Sequence, residues 1–418
     1  MQTQTRDIAG MAAEAADKRI ASIEMEPAAA DQLRVDIFDS MAPLEAEWRA
    51  LERDDLNSLH QSYDWCAAWV ENLERPLAII RGSIGDQVAF ILPLEIIRSR
   101  GTRRAEFIGG PHNNINTGLF SARFLANGEL TAAQASAISA ALRGKVDVVI
   151  LRNVPLEWRG RKNPLASLTS IESQNHAFQM PFLGSFEASL KQVNAKRRRK
   201  KFKHQSRLLD ARGGYEYVIA GPDEQDALLD LFFRQKAIRF EDAGLPDAFK
   251  DDRIKAALHA MLHRRRDDGI GATLQMHALR LKGEHEGHIP AIAALSRKGD
   301  HVICQFASID EALVAEASPG ELLFWLMIER LHREGVALFD FGIGDQIYKR
   351  SWCPMETVQY DLFLPVSGMG RLVAMANRII TRTKVAIKSN RKLYSLVQRL
   401  RARHGGSAPS DGGGGDAD

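Results

Sequence analysis

The 418-residue chain has three cysteines, Cys66, Cys304 and Cys353. They are odd in number, far apart and lack the paired spacing of a thiolate metal site, so they fit neither a disulfide framework nor a metal cluster and point to a reducing compartment. No apolar run approaches the roughly 18 residues a membrane-spanning helix needs. The N-terminus does not show the basic-then-apolar order of a secretory signal. The expected location is therefore cytoplasmic. Neither charge sign dominates, with 56 Lys and Arg against 53 Asp and Glu, so the whole-chain balance does not mark a nucleic-acid binder. The nearest approach to a His-Glu-x-x-His metal motif is His285-Glu286-Gly287-His288. It falls at a turn, and no metal is expected.

The apolar fraction of 45% is ample for globular cores, and the length fits two or three domains. Residues 1–33 are Ala-rich and charged, an arm without a core, and 405–418 are a Gly, Ser and Asp tail. Residues 34–180 read as a first α/β lobe. It has a strand at Arg34–Phe38, helices near Trp48 and Trp65, strands around Gly85-Asp86 with Pro93 as an interruption, an Ala-rich helix at Thr131–Leu142 and a strand at Val146–Leu151. Residues 181–368 read as a second lobe of similar order. Its meander, Thr273–Leu281, Ile289–Arg297 and His301–Ile309, is followed by an apolar-faced helix Glu321–Arg333 and a strand Val336–Phe341. Strand, helix, strand is a crossover joining parallel strands. Ligands meet such units at the strand ends and the helix N-terminus.

The stretch Val336–Trp352, VALFDFGIGDQIYKRSW, organises the second lobe. Asp340 interrupts the apolar run and must be paired, exposed at an opening, or used. After the turn Gly342-Ile343-Gly344 come Asp345, Tyr348, Lys349 and Trp352. The preceding helix opens with Ser318-Pro319-Gly320, a cap followed by a first-turn proline, and its amides are suited to a pyrophosphate. Asp340 or Asp345 could take an acceptor proton, Tyr348 could return one, and Lys349 could hold a phosphate or pair with Asp345. The loop before the helix carries Asp310, Glu311, Glu316 and Glu321. Four carboxylates there call for basic residues from elsewhere before a phosphate can bind.

Ser318-Pro319-Gly320, Asp340-Phe341-Gly342, Gly344-Asp345 and Tyr348-Lys349 together resemble the C-terminal half of CelD-like GNAT acetyltransferases. That family is associated with cellulose and exopolysaccharide production and related in fold to Fem-type aminoacyl transferases. The resemblance implies an α/β fold of two tandem GNAT-like lobes with mixed sheets. It implies an acyl-CoA donor, most simply acetyl-CoA, held by Phe306, Ala307, Ser318 and Gly320, and a small-molecule or carbohydrate acceptor. It implies chemistry at Asp340, Asp345, Tyr348 and Lys349. A Fem-like reaction using aminoacyl-tRNA and a non-catalytic scaffold of polysaccharide synthesis stay open as alternatives.

Three further features bear on substrate and partner. The loop Gly109–Asn116, with His112, Asn113 and Asn116, is dense in amides and reads either as an acceptor-recognition loop or as a plain turn. Phe186–Gly213 reads as a single long helix whose segment Lys196–Lys203 is almost wholly basic. That segment is either a solvated face or an anion site, with Arg197 and Trp352 as substrate contacts. Residues 369–404 form a basic amphipathic helix, suited to packing on the protein or to an anionic membrane surface. Oligomeric state is not legible.

Overall fold

The protein is seen as a computed structural model describing residues 33–99, 101–264 and 272–389, with the backbone alone for 384–389. The arm up to residue 32, the tail 405–418 and the basic helix from 390 onward lie outside the described residues.

In the first lobe, Ile79–Ile84 pairs antiparallel with Leu33–Phe38 and with Gln87–Leu92, and Leu119–Phe120 completes four strands. Pro93 is where this meander changes sheets. The next strand, Leu94–Ser99, pairs with Thr102–Phe107 in a second, five-stranded sheet. A proline has no N–H to continue a ladder, so it stands at the corner. Thr102–Phe107 then runs parallel to Val148–Val154. The crossover between them includes the helix Ala132–Ala141, opened by a capping box of Thr131 and Gln134.

The second lobe is a seven-stranded sheet. Tyr215–Ile219, Gln275–Leu281, Ala291–Lys298 and His301–Ile309 follow one another antiparallel. The helix Pro319–Arg333 then carries the chain to Leu338–Ile343, which runs parallel to His301–Ile309. Leu322, Leu323, Met327, Ile328 and Leu331 of this helix are buried. Gly335, at φ 73°, ends it in the left-handed conformation that favours glycine.

Two findings depart from the linear reading. First, the lobes exchange strands. Ala177–Pro181 pairs with Leu338–Ile343 in the second-lobe sheet, and Tyr360–Pro365 lies between Thr169–Glu172 and Val148–Val154 in the first. A boundary at 180/181 therefore separates two strands from the sheets they complete. Second, the basic segment is not one helix from Phe186. Phe186–Lys191 ends, and Asn194, at φ 62°, caps a new helix Ala195–Asp210 by accepting from the Arg197 N–H. Asparagine both tolerates that conformation and caps helices, which is why the break falls there. The lobes also share a core: Trp65 and Trp69 belong to one buried cluster with Leu229, Phe232, Leu258 and Met261.

Candidate functional site

The parallel strands His301–Ile309 and Leu338–Ile343 stay paired only from His301 opposite Leu338 to Ile303 opposite Asp340. Both strands continue, but no ladder joins them. On the other flank the pairing with Ala291–Lys298 shifts register between Ala294 and Leu295, which makes Gln305 the bulged residue. A bulge bends its strand and increases its twist. The two strands therefore part at their carboxyl ends, beside the start of the Pro319 helix. Phe306 and Ala307, both half-buried, lie on the departing strand.

The mouth of this wedge is spanned by the first lobe. The Ile343 N–H donates to Asn114 Oδ1 at 3.1 Å, and Asn114 Nδ2 donates to Gln305 Oε1 at 3.0 Å. Gly342 permits the approach: it sits at φ +72°, and a Cβ there would lie 2.5 Å from Asn114 Oδ1. His60, fully buried, places Nδ1 at 2.9 Å from the Ile115 carbonyl and Nε2 at 3.1 Å from Gln305 Oε1. Burial pushes its pKa down to about 4, so the ring is neutral near pH 7. A neutral ring carries one proton and can satisfy only one of those two oxygens. Gln305 Nε2 is buried and has no hydrogen-bond partner among the described residues.

Beneath this bridge lies Asp340, wholly buried. Its carboxylate accepts from Gln179 Nε2 at 2.7 Å and from the Gly342 N–H at 2.7 Å. Thr357 orients Gln179 by donating to its Oε1 at 2.7 Å. His301 Nε2 stands 3.4 Å from Asp340 Oδ2. Lys349 is also buried and donates to the Ile343 carbonyl; burial pushes its pKa down to about 8. Burial pushes the neighbouring Cys304 thiol up to about 12, which makes it a poor nucleophile.

The expected site residues divide by placement. Asp345, half-buried, pairs with Arg350 rather than with Lys349, which points inward instead. Tyr348 is half-buried and stacks on Phe324 of the crossover helix, with ring centroids 5.4 Å apart. Trp352 is 1% exposed and covered by the Arg198 guanidinium at 3.8 Å, so it is a wall of the lobe and not an open contact surface. Arg197 is exposed, and it is its neighbour Arg198 that turns inward, to Glu321 at 3.2 Å and Ser351 Oγ at 2.8 Å. Asn113 and Asn116 are buried with protein partners: Asn113 accepts from Trp65 Nε1 at 2.9 Å, and Asn116 Nδ2 donates to the Arg152 carbonyl at 2.8 Å. They build the loop whose Asn114 reaches the wedge. His112 stacks on Trp69 with centroids 5.0 Å apart, and burial pushes its pKa down to about 4.

At the helix start, Ser318 is the first cap residue but makes no side-chain cap, and its carbonyl accepts from Gln205 Nε2 at 3.1 Å. Gly320 lets the helix approach the strand end, since a Cβ there would lie 2.7 Å from Ile309 Cγ2. The acidic loop is answered by the basic helix and its end. Glu321 meets Arg198 and Lys201, the latter at 2.9 Å, and Glu316 meets Arg212 at 2.7 Å. Among the described residues no group of three or more His, Cys, Asp or Glu could hold a metal ion. His60, Gln305 and Gln179 escape a sequence reading, and Asn114 is caught only as a member of the amide-dense loop Gly109–Asn116. The one signal available is a glutamine inside each of two apolar strands, HVICQFASI and AFQMP.

Residues 196–350 match the family model described as an acetyltransferase (GNAT) domain. No curated protein matches the chain. The solved structure of FemX is similar, with a TM-score of 0.52 at 13% identity over 76% of this chain and 95% of that one, a likeness of fold. A conserved protein of unknown function from Bacteroides thetaiotaomicron gives 0.48 at 12% identity, covering 79% of this chain and 100% of that one. A tandem GNAT protein from the clavulanic acid biosynthesis pathway gives 0.40 at 11% identity, covering 80% and 99%.

Proposed function

We propose that this chain, a GNAT-type acyltransferase by the domain it carries at 196–350, moves an acyl group, most simply acetyl, from acyl-CoA to an amine or hydroxyl of a sugar or exopolysaccharide precursor. The observation that carries the reading is the parting of two parallel strands beside a helix N-terminus. The free edge at Phe306 and Ala307 suits the amide-bearing arm of the donor. The helix start, with Lys201 nearby and Arg197 exposed on the adjoining helix, suits its pyrophosphate. The acceptor attacks the thioester carbon and gives its proton to Asp345. The carbon–sulfur bond breaks, and Tyr348 protonates the departing thiolate. Gln305 Nε2, buried and unpartnered, donates to the oxygen that gains charge. Asp340 is a positioning residue, fixing the Gly342 amide and Gln179.

Titration calorimetry with CoA and acetyl-CoA tests the donor. Tyr348→Phe, which keeps the ring against Phe324, is expected to retain CoA binding and to lose transfer by about 10²–10⁴-fold. Unchanged transfer removes Tyr348 from the chemistry. A second reading is aminoacyl-tRNA-dependent transfer. It draws on the exposed cations Lys196, Arg197, Arg199, Lys200 and Lys203 of one short helix. Tight tRNA binding without CoA binding selects it.

A further inference from the structure

The helix Gly368–Ser389 is 22 residues long, and its described side chains, up to Thr383, meet the rest of the protein along one face. Ala374 is buried with Val148, Ile150 and Phe363 of the five-stranded sheet, and Val373 packs beside it. Its start is pinned: Ser367 N donates to the Asp147 carbonyl and Ser367 Oγ to Asp147 Oδ1, both at 3.1 Å. The opposite face is apolar and bare. Met369, Leu372, Met375, Ile379 and Ile380 are 53, 57, 56, 57 and 48% exposed. At helical spacing these five form one stripe. Arg371, Arg378 and Arg382 share one border of that stripe. No acidic residue occurs from Gly370 to Arg403, against ten basic ones.

An exposed apolar stripe bordered by arginines, on a helix without a carboxylate, matches the interface of an anionic bilayer: acyl chains below, phosphates at the rim. A packed protein core would leave the arginines without counter-charges, and a second copy of the same helix would bring like charges together. We infer that this helix docks the protein on an anionic lipid surface, lying in the interface plane with Leu372, Met375 and Ile379 inserted. The inference is independent of the acyl-transfer chemistry.

Flotation of the full chain with phosphatidylcholine vesicles, with and without phosphatidylglycerol, tests it. Recovery in the floating fraction is expected only with phosphatidylglycerol and is expected to fall as salt rises. Arg371→Glu, Arg378→Glu and Arg382→Glu together should weaken binding at least roughly a hundredfold, at about fivefold for each arginine lost. Leu372→Asp with Ile379→Asp should stay in the soluble fraction with an unchanged thermal midpoint, since neither side chain is buried. Equal recovery with both vesicle types overturns the inference. So does undiminished flotation of the aspartate variant. A wild-type dimer that the aspartates dissolve, without vesicle binding, also overturns it and assigns the stripe to a second copy.

Discussion

Gly342→Ala tests the wedge most directly, because it strikes the place where the first-lobe Asn114 meets the last parallel strand. Two separate costs follow from the geometry. The backbone is at φ +72°, and a non-glycine residue in the left-handed region costs about 1–2 kcal/mol. The new methyl would lie 2.5 Å from Asn114 Oδ1 and 2.8 Å from its Cγ, so the Asn114 side chain must leave. Its departure strips the Ile343 N–H of its acceptor and Gln305 Oε1 of the Asn114 donor, leaving only His60 Nε2 beside that oxygen. A buried polar group left unpaired costs about 1–3 kcal/mol. The sum is about 2–5 kcal/mol of stability, read by urea unfolding. Asn114→Ala alone should cost about 1–3 kcal/mol through the unpaired groups only. In the double variant the methyl has nothing to displace, so the hydrogen-bond loss is counted once. Its destabilisation should fall short of the sum of the single variants by at least about 1 kcal/mol. Strict additivity, or a Gly342→Ala variant as stable as the wild type, would refute the claim that these two residues hold the mouth of the wedge.

Other outcomes follow from the same geometry. Lys349 has its pKa lowered from 10.5 to about 8 by burial. Between those values the folded chain binds fewer protons than the unfolded one, so stability should rise with pH from about 8 to 10 relative to Lys349→Met, by up to about 1.4 kcal/mol per pH unit. Parallel curves of unfolding free energy against pH for the two proteins would contradict this. The adjacent arginines should behave oppositely. Arg197→Ala should change stability by less than about 0.5 kcal/mol while weakening CoA binding in calorimetry. Arg198→Ala should cost about 1–3 kcal/mol in urea unfolding, because it removes the bonds to Glu321 and Ser351 and uncovers Trp352, while Glu321 keeps Lys201. Residues 181–368 expressed alone should fail to give a cooperative unfolding transition, because they lack most of the strand Ala177–Pro181 that Leu338–Ile343 pairs with. A sharp thermal transition for that fragment would show that the exchange is dispensable.

The crossover unit was legible because its punctuation is local. Pro319 opens the helix, Gly335 closes it, and an apolar stripe runs between them. The strand exchange was not. AFQMP and YDLFLP are short apolar strands that say nothing about which sheet receives them, and their partners lie far away in sequence. The break at Asn194 was hidden by helix-forming residues on both sides, where one backbone angle outweighed the local propensity. The residues proposed for the chemistry could be singled out for the same reason as the crossover: Asp340 sits in one strand, and Asp345, Tyr348 and Lys349 follow it across one turn. His60 was not legible, and Asn114 showed only as part of the amide-dense loop Gly109–Asn116, because their contacts with Gln305 span 245 and 191 residues. No pattern within either segment encodes that.

That distribution bears on why the chain has two lobes. A parted strand pair inside one sheet exposes backbone N–H and C=O groups that water or a ligand must satisfy. Here the first lobe takes part of that task at Ile343, and the exchanged strand bearing Gln179 takes the carboxylate of Asp340. On the proposed function, the second lobe supplies the acyl-transfer site and the first lobe sets what reaches it. Acceptor choice should then track the loop around Asn114 and not the residues after the last parallel strand. On this reasoning, chains with the same crossover unit but a different first-lobe loop would share a donor and differ in what they modify.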